Sequence, residues 1–312
     1  MTTFAFVFPG QGSQAVGMLD AWGDNPAVTQ TLSEASDALD LDMVRLIHAG
    51  PKEQLDLTTN TQPVMLTAAI ACYRAWRADG QPAPSVVAGH SLGEYSALVA
   101  SGVLTLADAL PLVRFRAQAM QDAVPVGVGA MAAILGMDAQ TVREGCAEIA
   151  AASGEVVEAV NFNDPKQTVI AGTKAGVEQA CEALKARGAK RALPLPVSAP
   201  FHSSLMKPAA DRLRERLTAT HFSAPAIPVI NNIDVTVQSD AAAIRDALYR
   251  QAFGPVRWVE TIQAIRARGV THIIECGPGK VLAGMVKRVD AEAISAPLLD
   301  PVSLADVKGL LA

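Results

Sequence analysis

Residues 85–102 read SVVAGHSLGEYSALVASG. The apolar, β-branched run at 86–89 ends in glycine and predicts a buried strand, and EYSALVASG predicts a helix directly after it. Between them lies Gly89-His90-Ser91-Leu92-Gly93, which fits the G-x-S-x-G turn that lifts a serine hydroxyl out of a strand-to-helix bend. Such a bend forces the serine into a strained backbone conformation, and a Cβ on either flank would run into the strand or the helix. The helix N-terminus leaves unpaired N–H groups facing the same spot, where negative charge is then favoured. An ordinary turn with a surface serine competes with this assignment, but the strand before and the helix after are the context the motif requires.

Working outward, Phe4 to Phe8 is a second buried strand, stopped by Pro9-Gly10. TLSEASDALD (31–40), DMVRLIHAG (42–50) and VMLTAAIACYRAWRADG (64–80) carry apolar residues at helical spacing. PVINNID (228–234) and THIIEC (271–276) read as strands with the helix RWVETIQAIRARG between them. This alternation predicts an α/β fold with a parallel sheet covered on both faces. Residues 130–197 differ: strand (130–137), helix (138–153), strand (155–163), strand (167–173), helix (174–188) and strand (189–197) make a β-α-β-β-α-β series, the ferredoxin-like order. We therefore expect a small domain over 125–197, inserted into a larger α/β domain made of 1–124 and 198–312. VPVGVG before it and PLPVSAP after it serve as Pro- and Gly-rich linkers.

A serine nucleophile needs a base, and the chain has five histidines. His48, His221 and His272 sit in helical or strand patterns and read as packed or surface residues. His90 precedes the nucleophile, where the turn would point it away. His202, in the Pro-bounded PVSAPFHSSLMKP, is the candidate base, because loops on a rigid scaffold are where catalytic groups concentrate. No Asp or Glu between Ser91 and His202 has an evident role, which points to a dyad oriented by a neutral acceptor. In PGQGSQAVG (9–17), Gly10, Gly12 and Ala15 fit G-x-G-x-x-A, but a dinucleotide site needs a second strand ending in an acidic residue about 20 positions on. TLSEASDALD is helical instead. The loop can equally bring the Gln11 N–H near a reacting carbonyl, as one half of an oxyanion hole with the Leu92 N–H as the other. Arg116 lies near the edge of the apolar stripe Leu106, Leu110, Val113, Ala117 and Met120. Such an arginine usually reaches solvent; one that stays inside a cleft presents a planar fork suited to a carboxylate.

The remaining composition narrows the class. Half of the 312 residues are apolar and 18% are charged, an ordinary globular balance with no disulfide requirement. The cysteines, at 72, 146, 181 and 276, have no close spacing, so neither a zinc knuckle nor a CxxC is available. A net charge of -5 argues against nucleic acid as a partner. No stretch reaches the about 18 apolar residues of a membrane span, and MTTFAFVFPG lacks the basic flank and length of a signal peptide. A cytoplasmic protein is expected.

Taken in order, FVFPGQGSQ, TQPVMLTA, GHSLGEYSAL, the Arg116 helix, PVSAPFHSSLMKPAA, PVINNID and ECGPGKVL resemble the malonyl-CoA:acyl carrier protein transacylases of bacterial fatty-acid synthesis. The likeness runs from residue 4 to about 288. It implies an α/β-hydrolase-like domain with an inserted ferredoxin-like one. It implies Ser91 as the acylated nucleophile, His202 as its base, Gln11 and Leu92 as oxyanion-hole amides, and Arg116 as the partner of the malonyl carboxylate. Gln251 matches the residue whose backbone carbonyl holds the histidine ring. Phe201 is similar to the malonyl-selective pattern of related polyketide acyltransferases. The implied partners are malonyl-CoA and an acyl carrier protein, with no cofactor and no metal. A discrete polyketide-type malonyl acyltransferase and a serine esterase or thioesterase are the alternatives. Carrier proteins of this kind are typically acidic, so Lys185, Arg187, Lys190 and Arg191 form either a carrier patch or a plain solvated face.

Overall fold

The computed structural model describes residues 2–197 and 199–312. Met1 and Ser198, where the two segments of the large domain were expected to begin, lie outside the described residues.

The chain opens with β1 (Phe4–Phe8), every residue of which is buried. Four helices follow: α1 (Pro26–Leu39), α2 (Met43–Ala49), α3 (Lys52–Leu55) and α4 (Thr58–Ala78). The side chain of Asn25 caps α1 by accepting from the N–H groups of Ala27 and Val28, with Pro26 in the first turn. Helix α4 begins six residues earlier than the apolar spacing suggests and carries Pro63 inside it. Pro63 lies in its second turn, and the Thr61 hydroxyl ties the start of the helix to the preceding segment by donating to the Leu55 carbonyl at 2.6 Å. Strand β2 (Val86–Gly89) then leads into α5 (Gly93–Ala100) and α6 (Leu106–Asp122).

The middle of the chain forms its own sheet from β3 (Gly129–Leu135), α7 (Ala139–Ser153), β4 (Val157–Asp164), β5 (Gln167–Thr173), α8 (Lys174–Ala186) and β6 (Arg191–Pro194). Its order is β4-β5-β3-β6, antiparallel throughout, as the ferredoxin-like pattern requires. Period-two alternation divides β3 between two cores. Ala132 and Ile134 pack with Val142, Val177 and Leu184 of the helices. Met131 and Ala133 face the other way, with Phe201 packed against them.

The last third contributes α9 (Lys207–Ala219), β7 (Val229–Ile230), α10 (Ala241–Phe253), α11 (Trp258–Ala267), β8 (His272–Cys276), α12 (Val281–Val289), β9 (Ile294–Leu298) and α13 (Pro301–Leu311). The large sheet has the order β7-β2-β1-β8-β9 and is parallel throughout. Strand β7 is only Val229–Ile230, shorter than the expected 228–234. Asn231 and Asn232 leave the ladder because their main-chain N–H groups bond elsewhere: Asn231 donates to the Thr236 carbonyl at 3.1 Å, and Asn232 donates to Glu94 Oε2 at 2.8 Å. Strand β9 and helix α13 lie beyond the expected elements. Pro297 breaks the apolar pattern of β9 and is tolerated there because the strand is the sheet edge.

Main-chain bonds join the two sheets. Val256, just before α11, donates to Val160 of β4 at 2.8 Å, and Phe162 donates back to Val256 at 3.0 Å. Glu158 of β4 accepts from the Ser204 N–H at 2.8 Å and from its hydroxyl at 2.6 Å.

Candidate active site

Ser91 sits at φ 52°, in the left-handed region. The bend closes only with glycine on both sides. A Cβ at Gly89 would stand 1.9 Å from the Gly93 carbonyl, and one at Gly93 would stand 2.0 Å from the Phe8 carbonyl oxygen. Asn232 clamps the strained turn from outside: its Oδ1 accepts from the Ser91 N–H at 2.7 Å while its Nδ2 donates to the Gly89 carbonyl at 2.7 Å. That clamp offsets the positive φ.

Ser91 Oγ lies 2.7 Å from His202 Nε2, and the Gln251 carbonyl accepts from His202 Nδ1 at 2.8 Å. A carbonyl only accepts, so the ring carries its proton on Nδ1 and offers the Nε2 lone pair to the serine hydroxyl. His202 is buried, and its own backbone is at φ 66°. Burial pushes its pKa down to about 3, with the Arg116 guanidinium adding to the shift and the Gln251 carbonyl opposing it. The ring is therefore a neutral base at physiological pH. Among the described residues, no other histidine bonds Ser91. His48 is held by Asp20, and His272 by Thr271. His90 Nε2 is turned away to Asn163 Oδ1 of β4 at 2.8 Å, although its ring still borders the cavity.

Arg116 does not reach solvent. It is 2% exposed, and its Nη1 donates to Gln62 Oε1 at 2.7 Å while Nη2 donates to Gln251 Oε1 at 3.1 Å and lies 3.3 Å from Ser91 Oγ. Among the described residues its Nε is buried without a hydrogen-bond partner, and the guanidinium stands over the Tyr95 ring at 5.5 Å from the centroid. Burial lowers the Arg116 pKa, yet a guanidinium stays charged throughout the physiological range. Among the described residues it has no carboxylate in ion-pair contact, so a buried cation with neutral partners waits beside the nucleophile.

Gln11, Ser91, Leu92, Arg116 and His202 border one cavity of about 130 Å³, with Met120, Met131 and Phe201 as its apolar wall. The Gln11 side chain accepts from Thr58 Oγ1 at 3.0 Å, which holds the first loop at the rim. Leu92 is αR and opens the helix N-terminus behind the serine. Sequence reasoning assigned no role to any acidic residue between Ser91 and His202. The structure corrects this at Glu94, whose Oε2 accepts from the Asn232 N–H at 2.8 Å and from Gln251 Nε2 at 3.0 Å. Gln62 and Asn232 were missed as well. Their one sequence signal is a polar side chain inside an otherwise apolar run, TQPVML and PVINNID. In the basic cluster, Arg187 is already committed to Glu148. No group of three or more His, Cys, Asp or Glu among the described residues could hold a metal ion.

A serine on a strand-to-helix elbow, a neutral histidine oriented by a carbonyl and a buried guanidinium define an acyl-transferring site, and the chain belongs to the acyl transferase family, whose domain matches residues 5–305. Within it, the chain belongs with the malonyl CoA-acyl carrier protein transacylases. It is 53% identical over 306 residues to the malonyl CoA-acyl carrier protein transacylase of Escherichia coli (strain K12), covering 98% of each chain. It is 46% identical to that of Bacillus subtilis (strain 168), covering 97% of this chain and 96% of the relative. Its structure is similar to the acyl-carrier-protein S-malonyltransferase of Burkholderia pseudomallei 1710b, with a TM-score of 0.96 and 67% identity over 98% of this chain and 99% of that one. It is also similar, at a TM-score of 0.95 and 50% identity over 97% of this chain and 98% of that one, to a malonyl-transacylase solved with its type II PKS acyl-carrier protein.

Proposed function

We propose that this enzyme transfers the malonyl group from malonyl-CoA to the phosphopantetheine thiol of an acyl carrier protein, by a ping-pong route through a malonyl ester of Ser91. In the first half-reaction the Ser91 oxygen attacks the thioester carbonyl while His202 Nε2 takes the hydroxyl proton. The tetrahedral oxyanion lies against the N–H groups of Leu92 and Gln11, each a donor worth about 3 kcal/mol in sites of this kind. Collapse breaks the C–S bond, and the departing thiolate takes the proton from the imidazolium. In the second half the carrier's thiol gives its proton to His202, its sulfur attacks the ester carbonyl, and Ser91 is reprotonated. The Gln251 carbonyl keeps the Nδ1 proton in place throughout, the part a carboxylate plays in a triad.

The single observation that carries this reading is the Arg116 fork, buried, unpaired with any described carboxylate and 3.3 Å from the nucleophile. A simple esterase has no use for it. A substrate with a free carboxylate two bonds beyond the reacting carbonyl does. Malonyl fits, and acetyl gives the guanidinium no direct carboxylate partner. Arg116→Ala is expected to lower the malonyl-to-acetyl preference by roughly 10- to 150-fold, the equivalent of a charge-assisted contact of about 1.5 to 3 kcal/mol. Competition of the two acyl-CoA substrates measures it, and an unchanged ratio removes Arg116 from the site.

The overall test is intact-mass measurement of the enzyme after malonyl-CoA, with and without carrier. A malonyl adduct that persists alone and is discharged by carrier is the expected result; turnover of p-nitrophenyl esters without adduct transfer would favour the esterase. The 50% likeness to a transacylase that serves a polyketide carrier keeps such a carrier as a second acceptor class, resolved by comparing transfer rates to the two carriers. We assign the small domain to 125–197, within a larger domain made of 1–124 and 198–312. The free cysteines support a cytoplasmic setting, and no helix among the described residues is long and apolar enough to cross a membrane.

A further inference from the structure

Beneath the nucleophile lies a carboxylate the transfer mechanism does not use. Glu94, the second residue of α5, is 2% exposed. Its Oε2 accepts from Gln251 Nε2, and the same amide nitrogen donates to the Ser91 carbonyl at 3.0 Å. The other end of that amide, Gln251 Oε1, accepts from Arg116 Nη2. Glu94 also accepts from the backbone of Asn232, the residue that clamps the elbow. One carboxylate thus sets the orientation of the amide that holds Arg116 and steadies the residue that holds Ser91.

We propose that Glu94 is a positioning residue that acts through Gln251 as the resident counter-charge of Arg116, and that it takes up a proton when a substrate carboxylate occupies the guanidinium. This rests on the reading of Arg116 as the site for the substrate carboxylate. The reason is electrostatic. The buried site holds one cation, and two carboxylates that share it cannot both remain ionised. The substrate carboxylate meets the guanidinium directly, whereas Glu94 meets it through an amide, so the proton goes to Glu94.

The surroundings agree. From α6, Arg116 favours the Glu94 anion; from the turn after β7, Asp234 opposes it and is itself held by Arg250; Tyr95, on the same helix, is kept neutral by burial. Helix α4 presents only the neutral Gln62 to the guanidinium. Burial pushes the Glu94 pKa up to about 7, so the group is near its midpoint before substrate arrives.

Single-turnover loading with malonyl-CoA in weak buffer containing a pH indicator, without carrier, tests this. Acyl transfer from thioester to serine is itself proton-neutral, so any uptake reports a protein group. At pH 7 the wild-type enzyme is expected to take up about half a proton per malonyl loaded, falling towards zero by pH 5, where Glu94 is already protonated. Acetyl-CoA should give no uptake. Glu94→Gln should abolish the uptake with malonyl-CoA and, because half of the enzyme already carries the proton at pH 7, lower its KM there by no more than about twofold, a gain that disappears by pH 5. A merely structural role would instead raise KM and lower kcat together. Zero uptake in the wild type at pH 7, or equal uptake in wild type and variant, overturns the proposal; the wild-type pH series decides it even where the variant does not fold. If Arg116→Ala keeps its malonyl preference, the reading of Arg116 has failed; if that preference is lost but uptake is indifferent to Glu94→Gln, only the role of Glu94 has failed.

Discussion

Ser91→Ala is expected to form no malonyl adduct by intact mass and to lose transfer by a factor on the order of 10⁶, the scale seen when a serine nucleophile is removed from a preorganised site. The loss should be nearly complete because other candidates to carry the acyl group are poorly placed. The four cysteines are free, and burial raises the pKa of every one of them, the reverse of what a nucleophilic thiol needs. His202 Nε2 is the one other nucleophile near the reacting carbonyl among the described residues, and an acyl-imidazole formed there is hydrolytically labile, so it would not persist as an adduct. The fold should survive the change, since Asn232 binds the backbone of residue 91 and not its side chain. Alanine at φ 52° carries the same strain as serine there. A folded Ser91→Ala enzyme that still gains the malonyl mass would show that the acyl group is carried elsewhere.

His202→Ala removes the base and should slow acylation by roughly 10²- to 10⁴-fold. The Ser91 hydroxyl remains and can still be acylated slowly, which is why the loss stops short of that for the serine. A pH series gives the sharper test. The ordinary histidine value is 6.5, and burial takes His202 down to about 3. A group with a depressed folded value stays neutral, and so competent as a base, all the way down through the window between those values. The acylation rate of the wild-type enzyme should therefore show no decline between pH 7 and pH 5, where an exposed histidine would be mostly protonated. The same shift has a stability consequence of the matching sign: the unfolded chain binds the proton below 6.5 and the folded one does not, so this residue's contribution is lost as pH falls through that window. Rapid-quench acylation across the range measures the first effect. A rate that halves near pH 6.5 would place the base in a more exposed setting than the buried His202 occupies.

The features legible in the chain alone are those with a local physical cause. The glycines at 89 and 93 mark an elbow because a Cβ at either meets backbone within a few residues in sequence or on the neighbouring strand. The ferredoxin-like series is readable because alternation and helical spacing are properties of short segments. The candidate roles of Ser91, His202 and Arg116 follow from chemical type and position in a turn, a loop and a stripe. Where local rules conflicted with tertiary demand, the latter prevailed: Pro63 lies inside α4, β7 stops after Ile230, and Pro297 is accepted at a sheet edge.

What only the folded chain decided is which polar groups meet. Gln62, Glu94, Asn232 and Gln251 come from four separate segments, and nothing in their local sequence says that one amide joins a carboxylate to a guanidinium or that an asparagine 141 positions away holds the Ser91 N–H. Arg116 has the same spacing whether it turns to solvent or into the cleft; the packing of α4, α5 and α6 around it makes it buried. By itself the sequence determined the elbow, the order of elements and the kinds of chemistry available. The tertiary structure decided their partners and their charge states, because hydrogen bonding and desolvation depend on what lies within a few ångströms in space and not along the chain.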